Sequence, residues 1–114
     1  MSIAMSYDYS LFLAPGPGPM SSWPADAPES LGTFDHVKER LAEVLPDTSW
    51  QTLRETFFGR SEVGVEFQIT PDADGSCRFV TARRITRAQL ETLCRALGVV
   101  AVDNQTVEVI RPGE

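Results

Sequence analysis

The side chains best suited to binding chemistry are four arginines that lie close together in the second half of the chain. They are Arg78, Arg83, Arg84 and Arg87. A planar guanidinium fork matches the geometry of a carboxylate or a phosphate, so Arg83, Arg84 and Arg87 are candidates for binding an anion. In the alternative interpretation, these arginines form ion pairs with Glu66 or Glu91 and bind no ligand.

Acidic side chains form a second candidate surface. Asp35, Glu39 and Glu43 recur at intervals of four residues, which places them on one face of a helix, and Asp47 follows. The chain has 16 acidic and 10 basic residues and a net charge of −6. Such an excess steers a basic partner and repels phosphate groups and anionic membranes. These four acidic residues, together with Trp23 as an aromatic anchor, form the predicted partner-binding set. In the alternative interpretation, the negative charge only maintains solubility.

The sequence contains no pattern typical of catalysis or of cofactor binding. His36 is the single histidine, and no cysteine lies at a metal-ligand spacing from it. Asp72 and Asp74 resemble the start of a calcium loop, but no downstream glutamate completes that loop, so they predict a turn. Nucleotide-binding and nucleophile motifs are also absent. We therefore expect no catalytic residue, no metal, no cofactor and no enzymatic activity.

The length of 114 residues predicts one domain that spans residues 1–114. No apolar run reaches the roughly 20 residues of a membrane span, and residues 1–12 lack the basic start of a secretory signal. Cys77 and Cys94 are expected on core faces as free thiols in a reducing compartment, with a disulfide between them as the alternative. These features predict a cytoplasmic protein and leave its oligomeric state open.

Hydrophobic periodicity predicts two helices and five strands. The strands are residues 6–13, 63–69, 77–83, 99–102 and 106–110, and the helices are residues 34–45 and the segment between caps at Thr86 and Gly98. Thr33 caps the first helix, while Thr86 and Gln89 form a capping box for the second. Residues 50–58 fit a short helix or a strand equally well.

The order of these elements is β-α-β-β-α-β with an added C-terminal hairpin strand. It predicts an α+β fold in which both helices cover one face of an antiparallel sheet, the ferredoxin-like arrangement. Cys77, Phe79 and Thr81 are expected to share one face of their strand. RNA-recognition motifs share this topology, but a pI near 4.7 opposes nucleic-acid binding. Residues 14–32 hold five of the eight prolines, which predicts a long loop or insertion.

Two segments resemble a group of short, largely uncharacterised bacterial proteins. One is Met5–Asp8 with the following Leu11–Phe12, and the other is Leu93–Gly98 with the following Val102–Thr106. The resemblance implies a compact cytoplasmic α+β domain with no established catalytic residues. Some similar small proteins resemble immunity proteins of bacterial toxin systems.

The sequence therefore leads us to expect a non-enzymatic protein-binding module, immunity-like or inhibitor-like, whose acidic surface meets a basic partner. The alternative is a small anionic-ligand binder or minor enzyme that uses Arg83, Arg84 and Arg87. A third hypothesis is a homodimer that pairs its sheet edges. Nucleic acid and membrane are not expected as partners.

Overall fold

The architecture is mixed α+β, with two helices and one sheet of seven antiparallel strands. The computed structural model describes residues 8–14, 16, 20–24, 29–106 and 108–111. The strands are β1 (Tyr9–Phe12), β2 (Ser49–Leu53), β3 (Thr56–Arg60), β4 (Glu66–Ile69), β5 (Val80–Arg83), β6 (Val100–Asp103) and β7 (Val109–Ile110). The helices are α1 (Phe34–Val44) and α2 (Arg87–Leu97), and a 3-10 helix covers Met20–Ser22.

Both helices begin at the predicted caps. The Thr33 hydroxyl accepts a hydrogen bond from the His36 N–H at 3.3 Å. Thr86 and Gln89 exchange the two bonds of a capping box, at 3.2 and 3.0 Å, which satisfy N–H groups that have no partner inside the helix. Gly98 ends α2 in the left-handed conformation, with φ of 68°. In the described part of the chain, neither helix is long and apolar enough to cross a membrane.

The strand order across the sheet is β2-β3-β4-β5-β1-β6-β7, and every neighbouring pair is antiparallel. The sheet is larger than the predicted ferredoxin-like core with one added strand. The two further strands, β2 and β3, form a hairpin between α1 and β4. The segment that the sequence left undecided, residues 50–58, is therefore strand on both sides of a tight turn.

Four of the five predicted strands are shorter in the structure than expected. Val63 was predicted to begin a half-buried strand, but it lies in the turn between β3 and β4 and is 65% exposed. This turn is closed by a hydrogen bond of 3.0 Å from the N–H of Gly64 to the carbonyl of Ser61. The last strand, predicted over residues 106–110, is limited to Val109–Ile110. Residues 6, 7 and 107 of the predicted strands lie outside the described residues.

The expectation that Cys77, Phe79 and Thr81 share a face is wrong for Cys77. Its backbone bonds to the loop before α1, with its N–H on the carbonyl of Gly32 at 2.8 Å and its carbonyl on the N–H of Leu31 at 2.6 Å. Residues 77–79 thus leave the ladder, and strict alternation is lost. Cys77 is buried in the core, whereas Phe79 contacts Phe12 on the opposite face of the sheet.

A single hydrophobic core lies between the two helices and one face of the sheet. Its members include Leu11, Val37, Leu41, Val65, Phe67, Ile69, Val80, Ala82, Leu90, Leu93, Cys94 and Ala101. Val37 and Leu41 come from α1, and Leu90 and Leu93 from α2. Because side chains alternate along a strand, the neighbours of these core residues point to the other face, which the helices leave open.

Aromatic packing joins the β2–β3 hairpin to α1. The ring of Phe34 on α1 stacks on Phe57, with centroids 3.6 Å apart, and meets the edge of Trp50 at 5.2 Å. Trp50 also stacks on Phe67 at 6.1 Å and lies against Gly59, its partner across the hairpin. These contacts fix the hairpin as part of the sheet rather than as a free extension.

Replacing Arg54 by glycine is expected to raise the free energy of unfolding by up to about 1 kcal/mol. Arg54 opens the turn between β2 and β3 with φ of 57°, a left-handed conformation that costs a side-chain-bearing residue about 1–2 kcal/mol. Glycine avoids this cost and loses about 0.5–1 kcal/mol of backbone entropy. Urea denaturation measures the difference. The adjacent Glu55→Gly is the control and should destabilise; an equal loss in both variants would contradict backbone strain at Arg54.

Candidate functional site

The face of the sheet opposite the helices, called here the open face, carries a groove over strands β2 to β5. The groove has a volume of about 490 Å³. Its lining includes Asp47, Gln51, Phe58, Glu62, Gln68 and Arg83. Gln51, Phe58, Gln68 and Arg83 are strand positions that alternate with helix-facing residues, whereas Asp47 and Glu62 belong to the turns at the end of the hairpin. We call this groove the open-face groove.

Ion pairs place a carboxylate against each arginine at the groove. Register places Arg60 opposite Glu66, and Glu66 opposite Arg83. Arg60 Nη2 lies 3.2 Å from Glu66 Oε1, and Arg84 Nε lies 3.6 Å from Glu66 Oε2. Arg83 Nε lies 3.2 Å from the carboxylate of Asp8, which precedes β1. Opposite charges on facing positions stabilise the pairing of the strands.

The three predicted anion-binding arginines do not converge on an empty site. Arg83 pairs with Asp8 and Arg84 with Glu66, while Arg87 lies 4.0 Å from Glu91 one turn along α2. Each guanidinium therefore already faces a carboxylate. The structure matches the alternative pairing proposed from the sequence for Arg84 and Arg87, and it adds Asp8 as the partner of Arg83.

Two carboxylates that line the groove have no basic side chain paired with them among the described residues. Asp47 precedes β2 and Glu62 follows β3, and both line the groove at the end of the hairpin away from its turn. Both are exposed, and neither forms an ion pair within the described ranges of the chain. One end of the open-face groove therefore carries uncompensated negative charge.

Large apolar side chains are also exposed on the open face, and Phe58 is the one among them that lines the groove. Phe58 is 38% exposed, Leu53 65% and Phe79 41%, and all three belong to the open face. Among the described residues, Val63 is the one other large hydrophobic side chain with comparable exposure. Apolar side chains that gather on one face indicate a contact surface more strongly than scattered ones do.

The other half of the same face, over β1 and β6, is covered. Trp23 meets the ring of Phe12 edge to face, with centroids 5.8 Å apart, and its indole nitrogen is buried without an acceptor among the described residues. Arg111 Nη2 donates to the carbonyl of Gly16 at 3.1 Å. Trp23 of the proline-rich loop thus packs against the sheet, where it is half-buried.

The predicted partner-binding set is divided between three places. Asp35, Glu39 and Glu43 are exposed on α1, on the helix side of the sheet. Asp47 lies at the end of the open-face groove, and Trp23 contacts the open face at β1. The structure therefore brings Asp47, but not the helix carboxylates or Trp23, to the groove.

Sequence reasoning missed the residues that define the groove, above all Phe58 and Glu62. The alternation of residues along the β2–β3 hairpin contained the signal for Phe58. Trp50 and Gly59 pair on the helix side, whereas Gln51 and Phe58 pair on the open face. A hairpin interpretation of residues 49–60 would have assigned Phe58 to an uncovered surface.

The remaining candidates for chemistry have structural roles. Both thiols are free and buried, as predicted, and burial raises the pKa of Cys94 to about 12, with the Glu91 carboxylate adding to the shift. The thiol therefore stays protonated at neutral pH and is a poor nucleophile. A hydrogen bond from the Ser76 N–H lowers the pKa of Asp74, in keeping with the predicted turn. The described residues contain no group of three or more potential metal ligands.

Comparison of the chain with family models, with curated proteins and with solved structures finds no match.

Proposed function

We propose that this protein is a non-catalytic protein-binding module, and that its contact surface is the open-face groove. The observation that carries the proposal is the combination of exposed Phe58 with uncompensated Asp47 and Glu62 in one groove. An aromatic side chain in a concave surface supplies apolar contact area. Unpaired carboxylates at its end favour a basic partner and raise the rate of its association.

An anionic ligand is the less favoured alternative. Arg83, Arg84 and Arg87 each face a carboxylate, so an incoming anion has to displace a protein group before it gains a contact. The net charge of −6 adds long-range repulsion. A panel of phosphorylated and carboxylated metabolites should leave the melting temperature unchanged, because binding to the folded state alone would raise it.

The proposal extends to the fold and to the biological role. Four central strands in the order β4-β5-β1-β6, with α1 after β1 and α2 after β5, support a ferredoxin-like core to which the β2–β3 hairpin and β7 add edges. Two buried free thiols support a cytoplasmic location. Among protein-binding roles, the acidic charge favours an inhibitor of the immunity type that covers a basic surface.

The test is affinity capture from native lysate with the wild type and three variants. We expect the wild type to retain a basic partner that is released at high salt. Phe58→Ala should weaken capture, and Asp47→Lys with Glu62→Lys should weaken it by about tenfold or more, because the changes replace attraction by repulsion. Glu39→Lys with Glu43→Lys is the matched control, with the same change of charge on α1.

The outcomes separate the two acidic surfaces. Capture that is lost with the groove variants and kept by the α1 variant supports the open-face groove. Capture that is lost only with the α1 variant would move the contact to the helix layer. An empty capture with the wild type would contradict the proposed protein-binding function.

A further inference from the structure

β2 is the edge strand on the side of the open-face groove. It pairs with β3 on one side, and no described residue pairs with its outer side. A two-residue turn, Arg54–Glu55, joins the facing residues Leu53 and Thr56. Such a hairpin closes on a hydrogen-bonded pair, and bonded and non-bonded pairs then alternate. The N–H and C=O groups of Trp50 and Thr52 therefore point away from β3, toward the free edge.

This edge lacks the features that prevent further strand pairing. β2 has the sequence Ser-Trp-Gln-Thr-Leu, with no charge and no proline in its five residues. Natural edges are usually protected by lysine, proline, a bulge or a very short strand. The opposite edge, β7, has only two residues and is followed by Arg111 and Pro112 in the sequence. The two edges of one sheet thus differ in their capacity to accept another strand.

The charges that flank β2 decide what kind of strand fits. Asp47 precedes the strand, and the turn residues Arg54 and Glu55 follow it; all three are exposed. If a second copy paired antiparallel over all five residues, Ser49 would face Leu53 of the other copy. Each copy carries a net charge of −6, and the long-range repulsion between like chains opposes their pairing. A partner strand with basic residues at both ends is attracted by this net charge and places a basic residue near Asp47 in either strand orientation.

We infer that β2 accepts an extended segment of the partner protein as an eighth strand, with apolar side chains on the open face and basic residues at both ends. The inference rests on the proposed protein-binding function and specifies its mode, β-strand addition. The added strand is held by main-chain hydrogen bonds to the outward N–H and C=O groups of Trp50 and Thr52. A side chain opposite Gln51 lies in the same row as Phe58, so a large apolar group there extends over the groove.

The test uses a synthetic peptide with blocked ends, Lys-Thr-Val-Thr-Phe-Thr-Val-Thr-Lys, whose alternate residues reproduce this pattern. We expect it to bind at least about tenfold more tightly than the same peptide with glutamate at both ends, because its terminal charges complement Asp47 and the net negative charge of the chain. Binding should slow the amide hydrogen exchange of Trp50 and Thr52. It should also lower the exposure of Phe58 to solvent.

Two substitutions at one position test whether binding depends on the main-chain edge of β2. Thr52→Pro removes an outward N–H, which an edge strand tolerates, and should weaken binding by about tenfold. Thr52→Ala keeps the N–H and should stay within about twofold of the wild type. If the proline variant does not fold, the exchange of the Trp50 and Thr52 amides in the wild type decides the question.

Each remaining outcome counts against the inference in a distinct way. Unchanged exchange at Trp50 and Thr52 with the bound peptide would overturn strand addition. If capture from lysate still depended on Phe58, Asp47 and Glu62, the proposed function would stand without it. Equal binding of the basic and acidic peptides would overturn the assigned charge of the strand. Light scattering that shows a dimer abolished by Thr52→Pro would assign the edge to a second copy instead.

Discussion

Replacing Gly59 by alanine is expected to lower the free energy of unfolding by about 1–3 kcal/mol, the usual cost of overpacking a filled site. A Cβ atom at this position would lie 2.8 Å from two carbons of the Trp50 ring, closer than van der Waals contact allows. The ring has little freedom to move, because Phe34 and Phe67 hold it from two other directions. Urea denaturation followed by circular dichroism measures the change.

Gly16→Ala is the matched control, because a Cβ atom there would meet nothing within 4 Å. Its effect should stay within about 0.5 kcal/mol, as for other surface substitutions. Equal stability of the Gly59 and Gly16 variants would contradict the close packing of Trp50 on β3. A compensating Trp50→Leu substitution should recover part of the loss in the Gly59 variant, since the smaller side chain leaves room for the added methyl group.

Phe67→Ala is expected to cost about 3–5 kcal/mol, the range measured when a buried aromatic side chain is truncated and a cavity remains. Phe67 lies on β4 toward the helices, is 2% exposed and stacks on Trp50. Because small domains have only about 5–15 kcal/mol of stability, this variant should melt at a much lower temperature or fail to fold.

The comparison with Phe58→Ala tests the assignment of the two faces. Phe58 lies on the neighbouring strand, and its ring points to the open face. Its truncation should change stability by no more than about 1 kcal/mol, because a half-exposed side chain loses less burial and leaves no cavity. Similar losses at both positions would contradict the open face. A small loss at Phe58 also lets the binding experiments be interpreted without unfolding.

The elements that sequence alone predicted well are those encoded by neighbouring residues. Thr33, Thr86 and Gly98 mark helix ends because their side chains or backbone conformations satisfy local groups. The turn at residues 71–75 behaves in the same way, with the N–H of Gly75 bonded to the carbonyl of Asp72 at 2.9 Å. These signals do not depend on how distant segments pack.

The β2–β3 hairpin was not predicted because its apolar spacing is compatible with both periods. Trp50, Leu53 and Phe57 fall at the intervals of a helical face as well as on two short strands. The strand conformation is stabilised by Phe34 on α1, whose ring stacks on Phe57. This contact joins segments that are far apart in sequence. Tertiary packing thus overrides an undecided local preference.

The open-face groove could not be predicted for the same reason. Its residues come from four strands, and their convergence depends on strand register and on the presence of the hairpin. The arginine cluster was recognisable by composition, but its pairing with Asp8 and Glu66 follows from which strands become neighbours. The acidic stripe on α1 was correctly located on an exposed helix face, yet the groove lies on the opposite side of the sheet.

The position of β1 has a consequence for how the chain folds during its synthesis. Tyr9 is paired with Ala82 on one side and with Asp103 on the other, so both neighbours of this strand are translated long after it. The strands from β2 to β5 follow one another as local antiparallel pairs and can assemble before translation of the chain is complete. Because distant pairing is slow and costs loop entropy, we expect β1 to join the sheet after β2 to β5 have paired with one another. Until then the edge of β5 that later pairs with β1 is exposed in the nascent chain. Chaperone binding or aggregation would compete with folding at this unpaired edge.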